Sequence, residues 1–204
     1  MKYRSTLTVA LIAALSLGYS GKSDASIILL FSQSGDDVIL AATGSLSLEG
    51  LARTDLGASL GATNLLDTTN EQLQIGSGTS AGVNRFTLSI INTPFNSSTN
   101  IIGSVDSWDS NSNSIRFQQN NGFLLIDNAF ETGDTLTVNS QITFPSRVLA
   151  DFGLTAGTSV VFLENENATA NNQVIVSAIP EPSTTILIGL GGLALVLRRR
   201  KSVM

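Results

Sequence analysis

Apolar residues in the most regular stretches of this chain recur at every second position. Residues 86–90 alternate apolar and polar without a break, and residues 136–144 do the same apart from Ser140. A period of two places one face of a segment in a core and the other in water, which is typical of a half-buried β-strand. We therefore predict strands in both stretches, with the following side chains pointing inward: Phe86, Leu88, Ile90, Leu136, Val138, Ile142 and Phe144.

Short apolar runs separated by turn residues continue this pattern along the chain. Residues 27–31, 160–163 and 174–176 are unbroken apolar runs, which are consistent with central strands. The turn-forming sequences are Ser34-Gly35-Asp36, Asn121-Gly122, Thr132-Gly133-Asp134 and Ala156-Gly157. About eight or nine short strands predict an all-β fold, a single antiparallel β-sandwich or jelly roll. Helical signals are poor there, with at most a turn or two at residues 65–73.

The first 25 residues have the three parts of a secretory signal peptide. Lys2 and Arg4 form a basic start, and residues 7–17 form an apolar core. Ser23 and Ala25 place small residues where a signal peptidase reads, which predicts cleavage after Ala25. The alternative is a permanent anchor, but a helix of about 11 residues spans only about 16 Å of a bilayer core of about 30 Å. We expect residues 1–25 to form a signal-peptide helix and residues 26–179 to form the exported domain.

The C-terminal segment, residues 180–204, has three parts in a fixed order. Pro180-Glu181-Pro182 ends any preceding strand, because proline lacks a backbone donor. Residues 183–197 are uncharged and mostly apolar, and they predict a short membrane helix of roughly 22 Å. Arg198, Arg199, Arg200 and Lys201 would stop translocation and remain on the cytoplasmic side, which places the preceding domain outside. The alternative is an ordinary tail anchor.

This order of Pro-Glu-Pro, hydrophobic helix and arginine cluster resembles the PEP-CTERM sorting signal. The resemblance implies processing near Pro180-Glu181-Pro182 by an exosortase, a membrane transpeptidase-like protease, in a bacterium that makes an extracellular polysaccharide matrix. Residues 37–51 and 152–162 also resemble segments of small PEP-CTERM proteins. The resemblance implies a destination for the protein and no established chemistry for its body.

The composition excludes several classes of site. The chain has no Cys and no His, so disulfides, a Ser-His-Asp triad and the usual zinc sites are absent. Residues 26–179 carry four arginines against 14 Asp and Glu residues, a net charge of −10. An acidic body of this kind cannot neutralise phosphates, which argues against a nucleic-acid partner.

Three candidate sites in the body remain as hypotheses. Trp108, flanked by acids and amides, has a flat apolar face that could stack on a sugar ring; alternatively it caps a loop. Asp109, Asn111 and Asn113 copy the first half of a calcium loop, whose later positions are not matched, so a solvated loop is the alternative. Paired carboxylates could serve a glycosidase, but no spacing selects a pair among these acids: Asp106, Asp109, Asp127, Glu131, Asp134, Glu164 and Glu166.

Taken together, the sequence predicts a non-enzymatic exported protein with a structural or matrix role. A carbohydrate-binding module of the matrix is the alternative, and a matrix glycoside hydrolase is a third hypothesis. The predicted partners are the Sec translocon, signal peptidase, exosortase, the membrane through the C-terminal helix, and extracellular polysaccharide. We predict no cofactor. The expected location is a transient membrane anchorage followed by the cell surface or the extracellular matrix.

Overall fold

The structure, a computed structural model, describes residues 26–57, 59–61, 64–67, 72–96, 100–168 and 172–179. Within these ranges the chain forms strands and one 3-10 helix, Leu149–Phe152, and no α-helix, which confirms the all-β class. The strands are β1 (Ser26–Ser34), β2 (Asp37–Ser47), β3 (Arg53–Asp55), β4 (Asn64–Asp67), β5 (Gln72–Gly76), β6 (Val83–Thr87), β7 (Ser89–Ile90), β8 (Ile101–Ser107), β9 (Ser114–Gln118), β10 (Phe123–Asp127), β11 (Thr135–Phe144), β12 (Thr158–Glu164) and β13 (Gln173–Ile179).

The strands form one large curled sheet in the order β3-β6-β10-β9-β5-β4-β8-β11-β2-β1-β13-β12-β7. Strand β8 joins the two halves, because its beginning pairs with β4 and its end pairs with β11. Gly103 lies at this crossing, where a Cβ would come within 2.7 Å of the Phe144 ring. The two layers expected of a sandwich are therefore the two halves of a continuous sheet.

One contiguous core fills the space between the two halves. Phenylalanine rings connect them: Phe117 of β9 lies 6.4 Å from Phe162 of β12, centroid to centroid. Phe95, from the loop after β7, packs against Phe162 at 5.5 Å and against Phe31 of β1 at 5.8 Å. The inward side chains predicted in residues 136–144 are all buried, as are Phe86 and Leu88.

The first and last strands of the domain lie side by side and run parallel. Strand β1 pairs with β2 on one side and with β13 on the other, in a register that runs from Ser26 opposite Gln173 to Ser32 opposite Ile179. Every other strand pair in the described ranges is antiparallel. The expectation of a wholly antiparallel sheet is therefore wrong at this one pair.

Three further expectations need correction. Residues 86–90 do not form one strand: at Leu88 the chain leaves the neighbours of β6 and, as β7, joins β12, which leaves Ile90 42% exposed. Residues 64–67 and 72–76 are paired strands, so the helical turn expected at residues 65–73 is wrong in the part that the structure describes. The described strands also outnumber the eight or nine expected.

The predicted turns at Gly35, Gly122, Gly133 and Gly157 are confirmed.

Both predicted targeting helices, residues 1–25 and 183–197, lie outside the described residues. Among the residues that are described, none belongs to a helix long and apolar enough to cross a bilayer.

Candidate functional site

The last strand of the domain runs directly into the Pro-Glu-Pro segment. Strand β13 ends at Ile179, and Pro180 is the next residue. Ile179 is paired with Ser32 of β1, and Ala178 lies between Phe31 of β1 and Thr158 of β12. The sequence therefore leaves no linker between the folded sheet and the motif.

Ala178 is held by more than its strand pairing. Its side chain is 1% exposed, and its carbonyl oxygen accepts a hydrogen bond of 2.7 Å from the backbone N–H of Gly157. The turn that contains Gly157 is closed by the Thr158 hydroxyl, which donates to the Thr155 carbonyl at 2.6 Å. The chain is thus fixed on both sides one residue before the strand ends.

The side chain of Gln33 braces the same end of the domain. Its Nε2 donates to the carbonyl oxygens of Gly35 at 2.8 Å and of Asp37 and Arg147 at 3.1 Å. Its Oε1 accepts from the backbone N–H of Leu149 at 3.1 Å. Because Gln33 is the neighbour of Ser32 in β1, this network holds the β1–β2 turn and the 3-10 helix beside the end of β13.

The two predicted targeting signals border the described domain at its beginning and at its end. Three predicted sets of residues lie outside the described residues. They are the sorting motif (Pro180, Glu181 and Pro182), the stop-transfer residues (Arg198, Arg199, Arg200 and Lys201) and the cleavage residues (Ser23 and Ala25). Ser26, the first residue expected after signal cleavage, begins β1. It lies so close to Gly44 of β2 that a Cβ on Gly44 would overlap the Ser26 carbonyl oxygen.

Trp108 lies between β8 and β9 and is partly buried against the core. Its indole Nε1 donates to the Ser112 carbonyl at 3.1 Å, so its polar edge closes the loop in which it lies. This contact is the one expected of a tryptophan that caps a loop. Sugar stacking at Trp108 stays a prediction.

The residues of the calcium hypothesis belong to the same loop. The Asn111 side chain is bonded to β11 at both ends: Nδ2 donates to the Thr135 carbonyl and Oδ1 accepts from the Thr137 N–H, each at 2.8 Å. The Asn113 N–H donates to Asp127 Oδ2 at 2.6 Å. The part of the chain that the structure describes contains no cluster of three metal-binding side chains. Calcium binding at Asp109, Asn111 and Asn113 stays a prediction.

Several of the candidate carboxylates accept hydrogen bonds that stabilise local structure. Asp134 accepts from the Glu131 N–H at 2.7 Å, and Asp106 accepts from the Thr143 hydroxyl at 2.5 Å. Glu131 pairs with Arg53, and Glu164 accepts from Gln173 at 3.0 Å. These contacts connect four of the candidate carboxylates to neighbouring parts of the fold, and catalysis by a carboxylate pair stays a hypothesis.

Sequence reasoning missed a polar surface on the outside of one half of the sheet. We call it the amide–arginine face, and its residues are Gln72 and Gln74 of β5, Arg116 and Gln118 of β9, Phe123 of β10 and Arg85 of β6. They share a face because cross-strand partners point to the same side of a sheet and the register aligns these strands. The available signal was the alternation Gln-Leu-Gln-Ile at residues 72–75 and Arg-Phe-Gln at residues 116–118.

Side-chain contacts connect the amide–arginine face into a row. Arg116 Nε donates to Gln74 Oε1 at 2.9 Å, and Gln118 donates to Gln72 at 3.2 Å. Burial lowers the pKa of the Arg116 guanidinium, and the Asp67 carboxylate acts in the opposite direction.

The exposed end of this face is formed by Phe123 and Arg85. The Arg85 guanidinium lies 4.3 Å from the centre of the Phe123 ring. Its Nε has no hydrogen-bond partner among the described residues. Gln72 and Gln74 are buried, whereas Arg116, Gln118, Phe123 and Arg85 remain partly exposed.

Comparison with protein-family models matches residues 178–201 to the PEP-CTERM protein-sorting motif. Comparison with curated proteins and comparison with solved structures each gave no match. The chain thus carries the sorting motif predicted from its sequence, and the motif implies exosortase processing of an exported, surface-directed protein. The match begins at Ala178, inside β13, so the last two residues of the sheet are also the first two of the motif segment.

Proposed function

We propose that this protein is a non-catalytic structural component of the cell surface or extracellular matrix, delivered there by exosortase. The observation that carries the proposal is the matched sorting segment at residues 178–201, joined without a linker to a folded β-domain. A compact domain attached in this way is suited to be the exported cargo of the signal.

The proposed route has four steps. The Sec translocon exports the chain, and signal peptidase cuts after Ala25. Arg198, Arg199, Arg200 and Lys201 stop translocation, because each costs about 2.5–3.5 kcal/mol at the bilayer centre on insertion scales. The helix at residues 183–197 then holds the domain at the outer side of the membrane until exosortase processes the chain near Pro180-Glu181-Pro182.

Fractionation of cells tests this route. A tag is placed in the exposed turn at residues 132–133, where a Cβ on Gly133 would meet no atom within 4 Å. The parent chain should reach the surface or the medium in a host that has an exosortase and stay in the membrane in a host that lacks one. Replacing Pro180-Glu181-Pro182 with three alanines should trap uncut protein in the membrane of both hosts.

A matched variant controls for simple disruption of the segment. Replacing Ser202-Val203-Met204, which follow the matched segment, with three alanines changes the same number of residues and should leave processing intact. If the parent and the Pro-Glu-Pro variant stay in the membrane equally in both hosts, the segment is only a tail anchor and the proposal is wrong. If both leave the membrane equally in both hosts, release does not depend on exosortase, and the proposal is wrong as well.

Carbohydrate binding is a second candidate, and the amide–arginine face favours it. Amide and guanidinium groups beside an aromatic ring can donate to sugar hydroxyls while the ring covers an apolar sugar face. Arg85 and Arg116 are also two of the four cations of an otherwise acidic domain. An anionic matrix polysaccharide would therefore be repelled less at this face than at the rest of the domain surface.

A binding assay on the exported protein tests this candidate. The probes are one neutral and one uronic-acid polysaccharide immobilised on beads. Phe123→Ala should reduce retention, whereas Val148→Ala, which removes an exposed apolar side chain outside this face, should not. Trp108→Phe tests the sugar-stacking hypothesis in the same assay, because loss of retention in that variant alone would move the site to the Trp108 loop. Equal retention of all variants would exclude both sites.

A further inference from the structure

We propose that Asn121, in the turn between β9 and β10, is a site of spontaneous deamidation, and that the isoaspartate so formed weakens the contact of this turn with Leu88. The proposal goes beyond the proposed function, because it needs neither an exosortase nor a polysaccharide. It rests on the placement of an Asn-Gly pair in a turn whose asparagine is exposed and whose glycine packs against a neighbouring segment.

The side chain of Asn121 is exposed, and its hydrogen bond is to an exposed neighbour. Its Nδ2 donates to Asn120 Oδ1 at 2.9 Å. Gly122 follows with a φ of +64°. Because glycine has no side chain, its backbone nitrogen is the least hindered nucleophile that can follow an asparagine. Within the described hairpin the Gly122 N–H donates to no turn carbonyl, so ring closure breaks no such bond.

Asn111 provides a contrast within the same fold. It also precedes a small residue, Ser112, but its side chain is bonded at both ends to backbone groups of β11. The backbone nitrogen that would attack it, that of Ser112, already donates to the Ser110 hydroxyl at 3.2 Å. Ring closure at Asn111 would disrupt all of these contacts, so Asn121 should react much faster.

The reaction needs only water. The deprotonated backbone nitrogen of Gly122 attacks Asn121 Cγ and forms a bond with it. The Cγ–Nδ2 bond breaks, and Nδ2 leaves as ammonia with a proton that balances the one lost from the Gly122 nitrogen. Water then opens the succinimide ring, adding its hydroxyl to a ring carbonyl carbon and a proton to the Gly122 nitrogen. Opening at Cγ gives aspartate, and opening at the backbone carbonyl gives isoaspartate, in which the chain continues through Cβ and Cγ.

Gly122 holds the turn against the chain between β6 and β7. Its carbonyl oxygen accepts a hydrogen bond of 2.8 Å from the Leu88 N–H. The packing is close, because a Cβ on Gly122 would lie 2.3 Å from the Leu88 carbonyl oxygen and 3.0 Å from Ile90 Cγ1. At Leu88 the chain passes from β6, near one end of the sheet, to β7 at the other end. The turn therefore supports the point at which the two ends of the sheet are connected.

Isoaspartate lengthens the backbone by one carbon atom immediately before Gly122. The next residue, Phe123, is paired with Gln118 on one side and Thr87 on the other. The extra atom must therefore be accommodated in the turn, where the close packing leaves Gly122 no room to move toward Leu88. We expect the hydrogen bond from Leu88 to be lost. Ordinary aspartate leaves the backbone unchanged and should keep this bond.

Peptide mapping of the aged protein tests the assignment. The full chain is incubated at neutral and at mildly alkaline pH. The peptides that contain Asn121 and Asn111 are followed by mass and by retention time, which separates aspartate from isoaspartate. We expect Asn121 to convert several-fold faster than Asn111, and faster at alkaline pH because the nucleophile is deprotonated. Asn121→Gln should prevent measurable conversion, because its longer side chain closes a ring far more slowly. Equal conversion at both asparagines, or none at Asn121, would overturn the proposal.

Urea denaturation followed by Trp108 fluorescence tests the consequence. We expect the aged parent to contain a less stable population in proportion to its isoaspartate content, and aged Asn121→Gln to lack it. Asn121→Asp is a second control, since it carries the new charge on an unchanged backbone and should unfold like the fresh parent. If the isoaspartate form unfolds like the fresh parent, the loss of contact at Leu88 is refuted. Equal destabilisation of Asn121→Asp and the isoaspartate form would make the charge the cause, and would refute the argument from backbone length.

Discussion

Replacing Gly44 with alanine should destabilise the domain more than any ordinary glycine substitution in a turn. Gly44 lies within β2 at a φ of +117°, between Ile27 of β1 and Val138 of β11. An added Cβ would overlap the Ser26 carbonyl oxygen and lie 3.3 Å from the Cα of Ile27. The beginning of β1 must therefore move away if Gly44 acquires a side chain.

The magnitude follows from two contributions. A backbone conformation of this kind costs a residue other than glycine about 1–3 kcal/mol. Displacing the fully buried Ile27 from the core costs up to a further 1.5–3 kcal/mol, approximately. The sum, about 2.5–6 kcal/mol, is a large part of the roughly 5–15 kcal/mol that stabilises a typical domain.

Gly133→Ala is the matched control, because Gly133 has a φ of +99° and a Cβ there would meet no atom within 4 Å. Only the backbone contribution applies to Gly133→Ala. The free energy of unfolding should therefore fall by about 1.5–3 kcal/mol more in Gly44→Ala than in this control. Urea denaturation of the exported protein, followed by the fluorescence of Trp108, the chain's single tryptophan, measures both values. Equal losses in the two variants would refute the argument from close approach to Ser26.

Three further substitutions test other parts of the packing by the same assay. Phe95→Ala should lower the free energy of unfolding by about 3–5 kcal/mol, because the Phe95 ring lies between Phe31 and Phe162. A decrease below about 1 kcal/mol would mean that neighbouring side chains repack into the cavity. Gln33→Ala should lower the free energy of unfolding by about 1–3 kcal/mol, because the backbone groups of Arg147 and Leu149 lose their hydrogen-bond partner. An unchanged free energy would show that the Gln33 side chain does not stabilise this end of the domain. Arg53→Ala should lose less than about 1 kcal/mol, because its ion pair with Glu131 is solvent-exposed; a larger loss, or one insensitive to salt, would contradict this.

Periodicity predicted local structure well where neighbours along the chain share one environment. Residues 136–144 pair with β2 along their whole length and face a single core, so their alternation matched their burial. Residues 86–90 have the same alternation, but the chain changes partners at Leu88 and exposes Ile90. No pattern within five residues records which distant strand will lie alongside each end. The parallel pairing of β1 with β13 was unpredictable for the same reason.

Part of the candidate site could be predicted from the sequence, and part depends on contacts between distant residues. The sorting motif is a contiguous signal, and its residues could be read directly from the sequence. Its immediate attachment to a strand paired on both sides depends on contacts of Ala178 with Phe31 and Thr158, which lie far away in the chain. The amide–arginine face was missed because glutamine and arginine in alternate positions look like an ordinary wet surface until the register brings them into one row.

The parallel pairing of the first and last strands also sets the order in which the domain can be completed. Synthesis proceeds from the N-terminus, so Ser26 and its neighbours in β1 emerge first and find β2 early. The second edge of β1 stays open until residues 173–179 arrive, almost a whole domain later, and such long-range closure is slow. The seven residues that close the sheet run directly into the motif. A chain interrupted before them has both an open hydrogen-bonding edge and no sorting signal. Only a chain long enough to complete the sheet therefore carries the signal that directs its sorting.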